Sequence, residues 1–190
     1  MKVTIIGKGS MGQAIAKLVT DGGNTVELFG REDAEKAPTG DVVVLAVPYP
    51  AIADVLDAHA DHLAGKVVVD ITNPLDFKTF DSLTVPSGSS ATAQIADRLP
   101  RSRVVKAFNT TFAATLAGGA VGPLPTAVLI AGDDGAAKAT LADVVRAGGL
   151  KAIDAGSLRR ARELEAIGFL QITLAAGEKV PWTGGFGVAA

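Results

Sequence analysis

Three glycines at positions 7, 9 and 12 leave few folds open to this chain. They follow Val3-Thr4-Ile5-Ile6, a β-branched run suited to a buried parallel strand. They open a segment in which Met11, Ala14, Ile15, Leu18 and Val19 recur on one apolar helical face. In such a strand–turn–helix the first glycine permits the tight turn and the second lets backbone approach a pyrophosphate. The third lets the helix pack closely on the strand. The helix start then offers free amides and the positive end of its dipole to phosphate. Gly7, Gly9 and Gly12, with Met11 between them, are assigned to a dinucleotide phosphate site. Lys8 and Ser10 are expected to add side-chain contacts, and Ser10 also to cap the helix.

The pattern repeats downstream. Further strands are expected at residues 25–29, 42–47, 67–69, 103–107, 126–131 and 151–153. Helices are expected at 52–58, from Ser89 or Ser90 to about 99, from Asp133 or Asp134 to about 147, and at 158–175. Residues 31–40 are too few for a crossover helix with two turns, so one helical turn or an irregular loop is expected there. Strand–helix alternation implies an α/β chain with a Rossmann-type, doubly wound, mostly parallel sheet and a short helical C-terminal extension. Residues 1–155 are read as the nucleotide-binding domain. Residues 156–190, a helix and a glycine-rich tail, are expected to pack on the active site or on a dimer partner.

The end of the second strand separates two coenzymes. An NAD site places a carboxylate there for the ribose 2′-hydroxyl. Here Gly30 and Arg31 follow Phe29, and a guanidinium can hold a 2′-phosphate bidentately. NADP is therefore expected, with Arg31 on the phosphate and Lys36 adding charge. Glu27 and Glu32 each lie 20 positions after a motif glycine, so an acidic partner is also allowed by spacing. Glu27 is mid-strand, and Glu32 is expected to face solvent.

These features together resemble the NADP oxidoreductases that depend on the deazaflavin coenzyme F420. The resemblance rests on the glycine motif, Gly30-Arg31 with Lys36, and Ala46-Val47-Pro48 after the third strand. It continues through Thr72-Asn73-Pro74, Lys106-Ala107-Phe108-Asn109-Thr110, and the C-terminal helix with its Gly-Phe-Gly tail. It implies direct hydride transfer between nicotinamide and deazaflavin rings. By the same resemblance Ala46, Val47 and Pro48 lie against the nicotinamide, and Asn109 and Thr110 face the reaction centre. Asn73 is taken with them as cofactor-binding, and Gly184 and Gly185 approach the second ring. A related group of reductase domains uses a flavin, so FMN or FAD stands beside F420 as acceptor.

No acid–base pair, nucleophile or metal cluster can be assembled from spacing, and the chain has no cysteine. Positioning alone is expected to carry the chemistry, since transfer between two rings needs alignment more than a proton donor. The two histidines, His59 and His62, are read as surface residues. Lys106 is expected to pair with a carboxylate or phosphate, with proton donation as the alternative, and Arg159 to pair with Glu163. The apolar face of the last helix, with Leu164, Ile167, Phe169, Leu170 and Leu174, closes the core or forms a homodimer contact, the latter being favoured. A net charge of −2 gives no case for nucleic acid, and no apolar run nears the ~20 residues of a membrane span. With no secretory segment after Met1, a cytoplasmic protein is expected. A nucleotide-sensing module and a small imine or hydroxyacid reductase remain as alternative functions.

Overall fold

The computed structural model describes residues 1–189. β1 (Lys2–Ile6) runs into α1 (Ser10–Asp21) and β2 (Thr25–Phe29). The alternation continues through β3 (Val42–Leu45), α2 (Ile52–His59), β4 (Val67–Asp70), α3 (Ala91–Arg98) and β5 (Arg103–Lys106). Then come α4 (Ala113–Gly118) and a small hairpin of β6 (Ala120–Val121) and β7 (Leu124–Pro125). β8 (Ala127–Gly132), α5 (Gly135–Ala147), β9 (Lys151–Gly156) and α6 (Ala161–Ala176) complete the chain's elements.

One seven-stranded sheet results, in the order β2-β1-β3-β4-β5-β8-β9. Its first five strands are parallel, as the alternation of strand and helix demands. The central strands are buried on both faces, which is why they read as unbroken valine runs. Val42 and Val44 join Val3, Ile5, Leu18 and Leu141 under α1 and α5. Val43 and Leu45 point the other way, packing with Leu56 of α2 and Ile95 of α3. This is a Rossmann-type α/β fold with a C-terminal helix.

Several local expectations are corrected. Ser10 does not cap α1: Gly9 is the N-cap, Ser10 is the first helical residue, and no side chain caps the helix start. β3 stops at Leu45, before Ala46 and Val47. The 31–40 connection does hold only a single 3₁₀ turn, Arg31–Asp33. Ser90 and Asp134 are side-chain N-caps, accepting from the amides of Ala93 and Ala137. α4 and the β6–β7 hairpin were not anticipated, being too short for a periodic signal. β8 is antiparallel to β5, with Lys106 opposite Ala131 and Val105 opposite Gly132. β9 then runs parallel to β8, placing Gly156 opposite the same Ala131. The last helix begins with a 3₁₀ turn, Leu158–Arg160, before α6 proper. Glu163 pairs with Arg160 and Arg162 rather than with Arg159.

α6 buries a mixed face containing Leu164, Glu165, Gly168 and Gln171. It leaves Ile167 and Leu170 exposed, at 37% and 50%. Among the described residues no helix is long and apolar enough to cross a membrane.

His59 is not a surface residue. It closes α2 with only 4% of its surface exposed, while His62 lies outside. Burial, with a smaller push from His62, holds its pKa below the ordinary 6.5. The unfolded chain therefore takes up this proton more readily than the native one. Stability is full above the ordinary value and is lost as pH falls through it. Thermal melts at about pH 7.5 and about 5.5 should show a lower midpoint in acid, and a His59→Leu variant should lose less on acidification than the parent.

Candidate coenzyme site

The loops that follow β1, β2 and β3 are fastened to one another at the carboxyl end of the sheet. Gly7 adopts φ +126°, and a Cβ there would lie 2.0 Å from the Ala46 carbonyl oxygen. A Cβ on Gly12 would lie 2.0 Å from the Gly7 oxygen. The turn after β1 is thus pressed between the start of α1 and the exit of β3. The Gly7 amide donates to the Phe29 carbonyl at 2.9 Å, and Ala46 donates to Ile6 at 2.8 Å. Gly9 differs: nothing stands within 4 Å of the position a side chain would take. Open space above Gly9 and the uncapped start of α1 fit the diphosphate of a dinucleotide, because both expose backbone N–H to an anion.

The loop after β2 is more elaborate than its sequence suggested. Asp33, not foreseen as a site residue, accepts from the Gly30 amide at 2.9 Å and pairs with Lys36 at 2.7 Å and Lys8 at 3.1 Å. The Gly30 amide first, then Lys36 and Lys8, hold its carboxyl well below the usual carboxylate range. Glu32 faces solvent, as expected, and forms an ion pair with Lys8 there. Both lysines therefore already have carboxylate partners. Arg31 is exposed, and among the described residues it has no ion-pair partner. Glu27 is taken up by the fold, accepting from the Thr4 hydroxyl at 2.7 Å and the Thr39 amide at 3.0 Å.

At the opposite end Ala46, Val47 and Pro48 leave β3, and Tyr49 donates its hydroxyl to Gln94 Oε1 at 2.6 Å. Asn73 and Asn109 are brought together reciprocally. Asn73 Nδ2 donates to the Asn109 carbonyl at 2.9 Å, and Asn109 Nδ2 donates to Asn73 Oδ1 at 2.9 Å and to the Leu164 carbonyl at 2.8 Å. Asn109 Oδ1 and the neighbouring Thr72 Oγ1 are buried without a hydrogen-bond partner. Thr110 is buried beside them. α6 fits against this pair only because residue 168 is glycine: a Cβ there would come 2.2 Å from Asn73 Oδ1. The tail glycines have local reasons of their own. Gly184 closes a turn on Pro181, and Gly185, at φ +125°, packs on Gln171, whose Oε1 accepts from the Phe186 amide at 2.9 Å.

Beneath these loops lies a group that sequence reasoning only half found. Lys106, wholly buried, donates to Asp70 Oδ2 at 2.9 Å, to Glu165 Oε1 at 3.0 Å and to the Thr72 carbonyl. It is a paired lysine, with carboxylates 36 positions before it and 59 after it. A carboxylate ending the valine run of β4, unlike the apolar ends of β1 and β3, was the available signal for Asp70. Glu165 gave none beyond lying among apolar residues of α6.

Residues 25–74 match the family described as NADP oxidoreductase, coenzyme F420-dependent. Over 166 residues the chain is 32% identical to the F420-dependent NADP reductase of Methanocaldococcus jannaschii, spanning 85% of this chain and 74% of that one. The chain belongs to this F420-dependent NADP oxidoreductase family. Membership makes it an NADP-dependent oxidoreductase. A solved structure from Arthrobacter sp. FB24, assigned as an F420-dependent NADP-reductase, has a TM-score of 0.87 at 28% identity and covers 100% of both chains. The metalloreductase STEAP3 of Rattus norvegicus is 31% identical over 183 residues, which is 87% of this chain but 36% of that protein.

Within this oxidoreductase the two glycine types are separable by experiment. Gly12→Ala should cost about 1–3 kcal/mol or more, since its methyl group meets fixed backbone. Gly9→Ala should cost no more than about 1 kcal/mol, the loss of a preferred N-cap. Urea denaturation of both variants checks the contrast.

Proposed function

We propose that this chain transfers a hydride between NADP(H) and coenzyme F420, holding the two rings against each other. The observation that carries the reading is the loop after β1, whose glycines are packed to the limit at positions 7 and 12 and open at position 9. Gly7, Gly9, Gly12 and the first amides of α1 hold the diphosphate, with Lys8, Ser10 and Met11 around it. Arg31 takes the 2′-phosphate, because it is the cation of this corner with no carboxylate partner among the described residues. Lys36 and Lys8 then turn from Asp33 and Glu32 toward the ligand. Ala46, Val47 and Pro48 flank the nicotinamide. Asn109 Oδ1 and Thr72 Oγ1, two buried polar atoms left without partners, suit its carboxamide, which both donates and accepts.

When bound, the nicotinamide supplies the hydride and the deazaflavin ring the acceptor. The protein's part is alignment and exclusion of water, for which the Asn73–Asn109 pair and Gly168 fix the floor of the crevice. Residues 1–155 hold the nucleotide in this reading, and residues 156–189 close over the second ring, with Gly184 and Gly185 at its edge; Ala190, the end of the expected 156–190 segment, lies outside the described residues.

NADPH consumption with F420 as the added acceptor tests the proposal, run beside FMN, FAD and a ferric chelate. Turnover with F420 alone supports it, whereas turnover only with a flavin or iron replaces the acceptor. Tight NADPH binding without turnover favours a sensor, and reduction of an imine without a second coenzyme favours a small reductase. Arg31→Ala should raise the Kd for NADPH tenfold or more, by about 1.4 kcal/mol, while leaving NADH nearly unchanged. Equal losses for both would remove the 2′-phosphate role.

The exposed Ile167 and Leu170 of α6 suit a homodimer seam. Light scattering should give twice the chain mass for the parent, and the monomer mass for Leu170→Glu.

A further inference from the structure

The buried group at Lys106 carries more negative than positive charge. Its members are one ammonium and the carboxylates of Asp70 and Glu165, none more than 1% exposed. The formal charges sum to minus one. Each carboxylate oxygen accepts at least one hydrogen bond. Asp70 Oδ1 takes the Thr72 amide at 2.8 Å, and Oδ2 takes the Thr92 hydroxyl at 2.7 Å together with Lys106. Glu165 Oε1 takes Lys106 and the Thr92 amide at 3.3 Å, and Oε2 takes the Ala91 amide at 3.0 Å. Lys106 in turn spends its three hydrogens on Asp70, Glu165 and the Thr72 carbonyl. The arrangement is closed and fixed, and removed from the screening of solvent.

Its place in the fold is specific. Asp70 and Lys106 are neighbours in register, the last residues of two adjacent central strands. Beyond Ile71 come Thr72 and Asn73 on one side, and beyond Ala107 and Phe108 comes Asn109 on the other. Leu45, opposite Asp70, is followed directly by Ala46, Val47 and Pro48. The cluster therefore lies under the loops to which the reading above assigns the nicotinamide. Its field is already felt there: after burial, the charges of Glu165 and Asp70 push the Tyr49 hydroxyl above its usual range.

We infer that Asp70, Lys106 and Glu165 form a fixed negative counter-charge under the nicotinamide, which binds NADP⁺ in preference to NADPH. The inference rests on the coenzyme placement proposed above. NADPH is neutral at the ring. Loss of a hydride to the acceptor ring removes two electrons with one hydrogen nucleus and leaves one positive charge on the nicotinamide. A buried negative charge below that ring stabilises the product more than the reactant, and so makes the bound coenzyme a stronger hydride donor. A lysine with one carboxylate would be neutral. The second carboxylate supplies the bias. None of the three touches the ring in this account, so all act as positioning residues through their field.

The test is the ratio of dissociation constants, Kd(NADP⁺)/Kd(NADPH), measured by calorimetry on the full chain without acceptor. Glu165→Gln and Asp70→Asn each remove one negative charge and should raise the ratio about tenfold. Thr92→Val disturbs the same hydrogen bonds and keeps every charge, so it should leave the ratio unchanged even if both affinities fall. Equal ratios in all variants, or a shift with Thr92→Val as large as with Glu165→Gln, would overturn the inference and show only a packing role. Should the charge variants not fold, the parent decides: NADP⁺ held at least as tightly as NADPH supports the counter-charge, and NADPH held more tightly rejects it. If the parent binds neither form, it is the coenzyme reading that fails.

Discussion

Backbone pressed directly against backbone governs the carboxyl end of this sheet. The Gly7 turn lies where a methyl group would occupy the Ala46 carbonyl, and Gly12 brings α1 down on Gly7 in the same way. Interiors packed at crystal-like density absorb such intrusions poorly. The two contacts therefore determine how far α1 stands from β3. The neighbouring loops hang from that spacing, including the Gly7–Phe29 bond that fixes the exit of β2 and the corner holding Arg31 and Asp33.

The second constraint is electrostatic. Burying a charge is expensive unless it is paired and fully hydrogen-bonded, and breaking such a pair from one side typically costs about 3–5 kcal/mol. Lys106, Asp70 and Glu165 meet that requirement with help from Thr92 and from the amides that open α3. α6 is therefore held to the sheet at a particular rotation, with Glu165 pointing inward. That rotation presents Gly168 to the Asn73–Asn109 pair and Gln171 to the tail, so polar contacts rather than an apolar stripe set the seat of this helix.

Much of this was legible in the sequence, for identifiable reasons. Glycine positions and β-branched runs are local signals, and they located β1 to β5, α1 and the tight turn between β1 and α1. Ser90 and Asp134 marked helix starts because caps act within three residues of themselves. The misses were of another kind. The direction of β8 depends on pairing across the sheet, which no local window contains. Asp70 and Glu165 meet Lys106 across 36 and 59 positions. His59 looked exposed because a lone histidine at a helix end carries no periodic signal of burial. Asp33 was passed over because the comparison stopped at the strand end, whereas its carboxylate folds back onto the Gly30 amide.

The register of β8 also shapes the carboxyl edge of the sheet. Only Ala131 and Gly132, at the end of β8, pair with β5, so the earlier part of that strand stands beyond Lys106 and carries β9 beside it. Hydrogen-bonded sheet thereby rises past the rim on one flank as a parapet, where a loop would otherwise hang. A parapet made of paired strands cannot swing aside. Freedom to move is then left to the other flank, to the loops after β3 and β4 and to the tail.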